Sequence, residues 1–272
     1  MRKLLQSIYS VFKIIKHLNY FSEQQFQLAP SSKILRILGN GKSLNNTLLS
    51  KDENVDYLVV NRHVLASNYL DIKPSSYVLA DPHFFNHPEG ISIIKEINTK
   101  TTWPLKLYLP YQRKAKIQIN RLITNPLISI IYYNSTSIEG YKKLKYFFFD
   151  HQLAMPVVQN VLVASIMIGI QQKYETIELY GVEHTWTKYL FVDENNIVYL
   201  DNPHFYDKEK TKVKALKDIQ HTDEYPFFLI LKNYSRMFES YWEIKEYLKN
   251  TKKKVKVLNC TKESFIDAFQ KV

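Results

Sequence analysis

The stretch Ile34-Leu35-Arg36-Ile37-Leu38-Gly39-Asn40-Gly41-Lys42-Ser43-Leu44 decides the fold. A short apolar run ends in an asparagine flanked by glycines, followed by a Ser-Leu pair able to open a helix. An α/β protein presents backbone N–H groups and one polar side chain to a phosphate in this way, at the carboxyl end of a strand. Two further strand-like runs, Tyr57-Leu58-Val59-Val60-Asn61 and Tyr77-Val78-Leu79-Ala80-Asp81, also end in single polar residues about one β-α unit apart. Asn40, Asn61 and Asp81 are therefore expected along one edge of a parallel sheet, where open α/β sheets bind ligands.

Outward from this stretch, strand-like runs are read at 35–38, 57–60, 77–80, 105–109, 127–133, 176–180 and 254–258. Helical stretches lie between several of them, which predicts an α/β fold: a Rossmann-like, mostly parallel sheet flanked by helices. The run 157–170 is apolar almost all round, as expected of a helix buried against a sheet. Residues 234–250 read as an amphipathic helix before the last strand. Between Glu183 and His221 the composition turns polar and aromatic, with a hairpin-like piece at 193–199. A long insert of that kind after a strand end is expected to be a substrate loop or lid. The expected organisation is an N-terminal helix over 1–28 and one α/β domain over 29–272, with its lid at about 183–221.

Composition narrows the classes. The 272 residues suffice for a full core, and the 45% hydrophobic and 23% charged content is that of an ordinary globular chain. A lone cysteine, Cys260, excludes an internal disulfide framework and any cysteine-rich zinc site, and fits a reducing cytoplasm. The net charge of +11 calls for an anionic partner. No nucleic-acid motif is present, so no nucleic acid is expected; an anionic membrane surface or a nucleotide-linked substrate accounts for the charge equally well. No run approaches the ~20 apolar residues of a membrane span. Near the N-terminus, Leu4, Leu5, Ile8, Val11, Phe12, Ile15 and Leu18 recur at helical spacing, with Arg2, Lys3, Ser10, Lys13 and His17 mainly opposite. That basic amphipathic helix is expected either on a membrane surface or packed on the domain's own core.

The known phosphate motifs fail on inspection. A P-loop needs glycine where Arg36 stands, and a dinucleotide fingerprint needs glycine where Leu44 stands. The surviving reading of Gly39-Asn40-Gly41-Lys42-Ser43 is a nucleotide-phosphate turn of another kind, set against a merely structural turn. His83 and His87 are four apart, but Pro82 and Pro88 interrupt any ligand-bearing helix, so no metal site is expected. In the lid, Asp201-Asn202-Pro203-His204-Phe205-Tyr206-Asp207 places an imidazole after a proline in a polar loop, suited to removing a proton from a hydroxyl.

These motifs resemble those of the bacterial family 42 sialyltransferases. Gly39-Asn40-Gly41 with Ser43-Leu44, the strand-end Asn61, and Asp81-Pro82 with Phe84-Phe85 are similar to that family's first half. The 161–170 helix followed by Ile177-Glu178-Leu179-Tyr180-Gly181-Val182-Glu183 resembles its helix, strand and Gly-hydrophobic-acid segment. Asn202-Pro203-His204-Phe205 resembles the lid segment with its catalytic histidine, and Asn259-Cys260-Thr261 with Ser264 its C-terminal sheet edge. The resemblance implies a variant of the GT-A type of fold. It also implies an inverting, metal-independent glycosyltransferase that needs no cofactor, takes a CMP-activated acidic sugar (sialic acid or Kdo-like), and acts on a glycan or glycolipid in surface polysaccharide or lipooligosaccharide synthesis. His204 would be its base. Gly39, Asn40, Gly41, Ser43, Asn61, Asp81 and Glu183 would hold the nucleotide and phosphate. Gln159 and Asn160 fall where the family grips the donor sugar with Ser-Gly, and Tyr189 is the counterpart of one of its two phosphate-binding tyrosines. Two rival readings are a nucleotide-dependent diphosphotransferase and a non-catalytic polysaccharide-assembly protein.

Overall fold

The computed structural model describes residues 1–18, 30–46, 51–111, 119–201, 213–219 and 222–272. The apolar runs form an eight-stranded sheet in the order β11-β10-β6-β1-β2-β3-β4-β5. Its strands are β1 (Ile34–Leu38), β2 (Val55–Val60), β3 (Ser76–Val78), β4 (Leu105–Pro110), β5 (Ile128–Tyr133), β6 (Thr176–Tyr180), β10 (Lys256–Asn259) and β11 (Gln270–Lys271). Every pairing in it is parallel. The expected strands are present with ends shifted by a few residues, and β11 is an addition at the edge.

Alternation of side chains along each strand builds two cores. In β1, Leu35 and Ile37 join the core under the helices Val161–Gln171 and Phe227–Asn250, whereas Leu38 joins the opposite core under the helix Pro88–Lys100. Leu58 and Val60 of β2 divide from Tyr57 and Val59 in the same way. The helix Val161–Gln171 is buried on all sides through Ile170, as its unbroken apolar sequence requires. The single charge in β1, Arg36, is matched across the ladder. It is in register with Glu178 and Tyr57, and its guanidinium donates to Glu178 Oε2 at 2.8 Å and to the Tyr57 hydroxyl at 3.2 Å.

Strand order sets the place of the site. The chain lays down β1 to β5 in one direction, then returns to put β6 on the far side of β1. The segments that follow β1 and β6 meet at this reversal of strand order, the place at the carboxyl edge where open α/β sheets bind ligands. The segment after β6 carries a three-stranded antiparallel sheet, β7 (Leu190–Val192), β8 (Val198–Leu200) and β9 (Lys214–Ala215), where a lid was expected.

One expectation needs correction, and one of two open alternatives is ruled out. The last long helix begins at Phe227, just after Pro226, rather than at Tyr234. The N-terminal helix Arg2–Leu18 does not pack its apolar stripe on the core: Ser7, Ser10 and Ile14 face the body, and Leu4, Leu5, Ile8, Phe12 and Ile15 face outward. The serines prevail because they hydrogen-bond the main chain at Glu139 and Tyr141. No described helix is long and apolar enough to cross a membrane.

Candidate functional site

A cleft of about 480 Å³ opens at the crevice between β1 and β6. Register explains its composition. Leu38 pairs with Tyr180 and with Val59, and Val60 pairs with Val78, so the residues that follow these strands emerge side by side. Gly39, Asn40, Gly41, Asn61, Asp81 and Glu183 line one wall. Gln159 and Asn160, at the start of the helix Val161–Gln171, line a second, and Tyr189 comes from the insert. Ser43 lies outside the lining, and His204 falls outside the described residues.

The glycine turn works differently from the sequence expectation. Gly39 N donates to Tyr180 O at 2.8 Å, Gly41 N to Gly181 O at 2.9 Å, and Ser43 N to Glu183 Oε1 at 2.5 Å. Three of the amides expected to meet a phosphate therefore bind the end of β6 to the end of β1. The turn continues into a 3-10 helix, Lys42–Asn46, not an α-helix. Gly39, Asn40, Gly41 and Lys42 line the cleft, and Asn40 and Lys42 are the residues of this turn that bring polar side chains to it.

The acceptor atoms of this wall are only partly satisfied. Asn40 Nδ2 donates to Val60 O at 3.3 Å, which orients the amide, and Asn40 Oδ1 is buried without a partner. Asn61 takes a left-handed backbone (φ 53°), a conformation asparagine tolerates, and its Oδ1 is likewise buried and unpaired. Glu183 Oε2 is the third such atom. Buried oxygens of this kind are costly unless a ligand or water supplies donors. Asp81 and Asn160 are more committed. Asp81 Oδ1 accepts from His83 N at 2.8 Å, and Asn160 Oδ1 caps its helix by accepting from Leu162 N at 2.8 Å. Only the amide NH₂ of Asn160 remains for a ligand.

The loop after β6 is held from behind. Val182 N donates to Thr261 Oγ1 at 3.1 Å, Ser264 Oγ donates to Val182 O at 2.7 Å, and Phe265 N donates to Glu183 O at 2.8 Å. Beyond it, His184 takes a left-handed backbone (φ 52°) and shares a 2.7 Å hydrogen bond with the Tyr241 hydroxyl. Burial lowers its pKa to about 3, so the ring is neutral. His184 stacks on Trp186 (4.4 Å) and Trp186 on Tyr234 (5.5 Å), an aromatic row lining the same cleft as the strand-end residues.

Sequence reasoning missed that row. Trp186, Asn233, Tyr234 and Met237 reach the cleft from the insert and from the long helix. Their only sequence signal is aromatic richness, since the same helix face also supplies core residues such as Tyr241. Lys42 was legible inside the glycine turn. Among the described residues, no three His, Cys, Asp or Glu side chains gather to share a metal ion.

No model of a known protein family matches the chain, and no curated protein sequence does. Among solved structures, the fold is similar to that of the MAf glycosyltransferase from Magnetospirillum magneticum AMB-1. The TM-score is 0.51 at 10% identity, over 91% of this chain and 34% of that one. The chain thus spans about a third of that protein's length. At this identity the likeness is one of fold: a helix-flanked, Rossmann-like parallel sheet of the kind a glycosyltransferase uses.

Proposed function

We propose that the chain is a glycosyltransferase taking a nucleotide-activated sugar, with the nucleotide held at the crevice between β1 and β6. The observation that carries this reading is that three residues lining one cleft at the switch point of the sheet, Asn40, Asn61 and Glu183, each carry a buried oxygen without a partner. All three are acceptors. A phosphate brings no donors to such a group, whereas ribose hydroxyls and the exocyclic amine of cytosine do. The base and ribose of a CMP-activated donor suit that wall. The phosphate then belongs near Lys42 and the amino end of the helix Val161–Gln171, where positive charge and helix dipole favour an anion.

On this reading, Gln159, the Asn160 amide and Tyr189 face the transferred acidic sugar and the leaving phosphate. The acceptor hydroxyl of a glycan or glycolipid attacks the anomeric carbon and gives its proton to His204. The carbon–oxygen bond to CMP breaks with inversion, and fixed donors stabilise the departing phosphate without a metal. The family 42 resemblance supports the CMP donor and the base, and the shared glycosyltransferase fold supports the reaction class. Such an enzyme would work in the cytoplasm, in surface-polysaccharide or lipooligosaccharide synthesis. Slow hydrolysis of CMP-sialic acid or CMP-Kdo by the purified chain, undiminished by EDTA, is the expected result. Hydrolysis confined to UDP- or GDP-sugars, or strictly dependent on Mg²⁺, would overturn the CMP and metal-free parts of the reading.

A further inference from the structure

We infer that the helix Arg2–Leu18 is a peripheral membrane anchor that lies flat on an anionic bilayer surface. Its packing is inverted relative to an ordinary surface helix. It holds the body through polar contacts: Gln6 Nε2 donates to Glu139 Oε2 at 3.0 Å, Tyr141 N donates to Ser7 Oγ at 3.0 Å, and Lys13 Nζ donates to Ser137 Oγ at 3.2 Å. The opposite face carries Leu4, Leu5, Ile8, Tyr9, Phe12 and Ile15, each between 45% and 73% exposed. Six large apolar side chains on one face of a 17-residue helix form a contiguous patch of the sort that marks an interaction surface.

Charge selects the occupant. The helix contains Arg2, Lys3, Lys13 and Lys16 and no Asp or Glu, within a chain of net charge +11. A second copy docked through the same face would bring together two helices of four cations each, with no carboxylate in either. An anionic bilayer surface compensates that net charge while the acyl region takes the leucines and Phe12. At 17 residues, and with four cations, the helix lies on a bilayer and does not span one.

Placement gives the anchor a use. Lys3 and Gln6 border a cavity with Arg236 and Ser240, and Asn233 and Met237 of that same helix line the nucleotide cleft about one turn away. Bound in this way, the cleft is held near the membrane, within reach of a lipid-linked acceptor.

The test is sedimentation of the full chain with vesicles of phosphatidylcholine and of 7:3 phosphatidylcholine:phosphatidylglycerol, beside the variant Leu5→Ser/Ile8→Ser/Phe12→Ser. These side chains face outward, so the variant should melt with the parent and bind CMP equally. The parent should pellet with the anionic vesicles and be released by high salt, and the variant's partitioning should fall by ~10-fold or more. Failure of the parent to bind anionic vesicles, equal binding by the variant, or a parent dimer that becomes monomeric in the variant would each overturn the inference. Loss of CMP binding in both proteins would count against the cleft and not the anchor.

Discussion

The Glu183 carboxylate, beyond the end of β6, lies against Gly41, beyond the end of β1: a Cβ placed on Gly41 would fall 1.4 Å from Glu183 Oε2. The same carboxylate accepts from Ser43 N, so one side chain closes the switch point, and its second oxygen is buried there without a partner. The two glycines of the turn therefore have different jobs. A Cβ on Gly39 would meet the main-chain oxygen of Gly181 at 2.2 Å, and neither backbone can yield without parting β1 from β6.

Gly39→Ala should accordingly cost about 1–3 kcal/mol of stability, the scale of forced overpacking. Gly41→Ala meets only the end of a rotatable side chain, which can swing away with loss of one hydrogen bond, about 1 kcal/mol. Its larger effect should be on nucleotide affinity, because Glu183 Oε2 leaves its place. Thermal melts and calorimetry on both variants separate the two effects. A Gly39→Ala protein as stable as its parent would contradict the close packing of the loops.

Two fully buried histidines predict a pH dependence. Burial lowers His63 and His184 to about 3 from the ordinary 6.5. Both rings stay neutral in the folded chain, whereas the unfolded chain protonates them near pH 6.5. Between those values the unfolded state binds more protons. Stability is thus complete above about pH 6.5 and is lost as pH falls toward 3, approaching ~1.4 kcal/mol per pH unit for each histidine. Urea denaturation at pH 7.5, 6.5 and 5.5 should show this decline before ordinary carboxylates begin to titrate. A flat profile would mean that both rings gain a proton while folded, and half the slope that one does.

For His204, replacement by alanine should lower kcat by ~10²–10⁴-fold, the usual loss for a general base, with donor affinity little changed. Steady-state kinetics with donor and acceptor varied in turn would read this. Near-normal turnover would remove His204 from the mechanism.

Legibility in the sequence followed physical locality. Asn40, Asn61 and Asp81 were readable because each terminates an apolar run, and parallel register then brings them together. The internal use of the turn amides was not readable, because their partners, Tyr180, Gly181 and Glu183, are about 140 residues away. Asn233 and Tyr234 were hidden for a similar reason: one face of a helix serves both core and cleft. The N-terminal stripe was visible as a pattern, but its direction depended on Ser7 and Ser10 finding main-chain partners at 139 and 141. Strand β11, two residues long, has no periodicity to read.

Calorimetric titration of CMP into the full chain and into Asn40→Ala, Asn61→Ala and Glu183→Gln measures whether the strand-end acceptors hold a nucleotide. One site per chain is expected, with a loss of about 1–3 kcal/mol in each variant, the scale of a hydrogen bond to a charged or buried group. UMP and GMP, which lack the cytosine pattern of donors, should bind more weakly. No CMP binding by the parent, or an affinity unchanged from the parent in all three variants, would rule this site out.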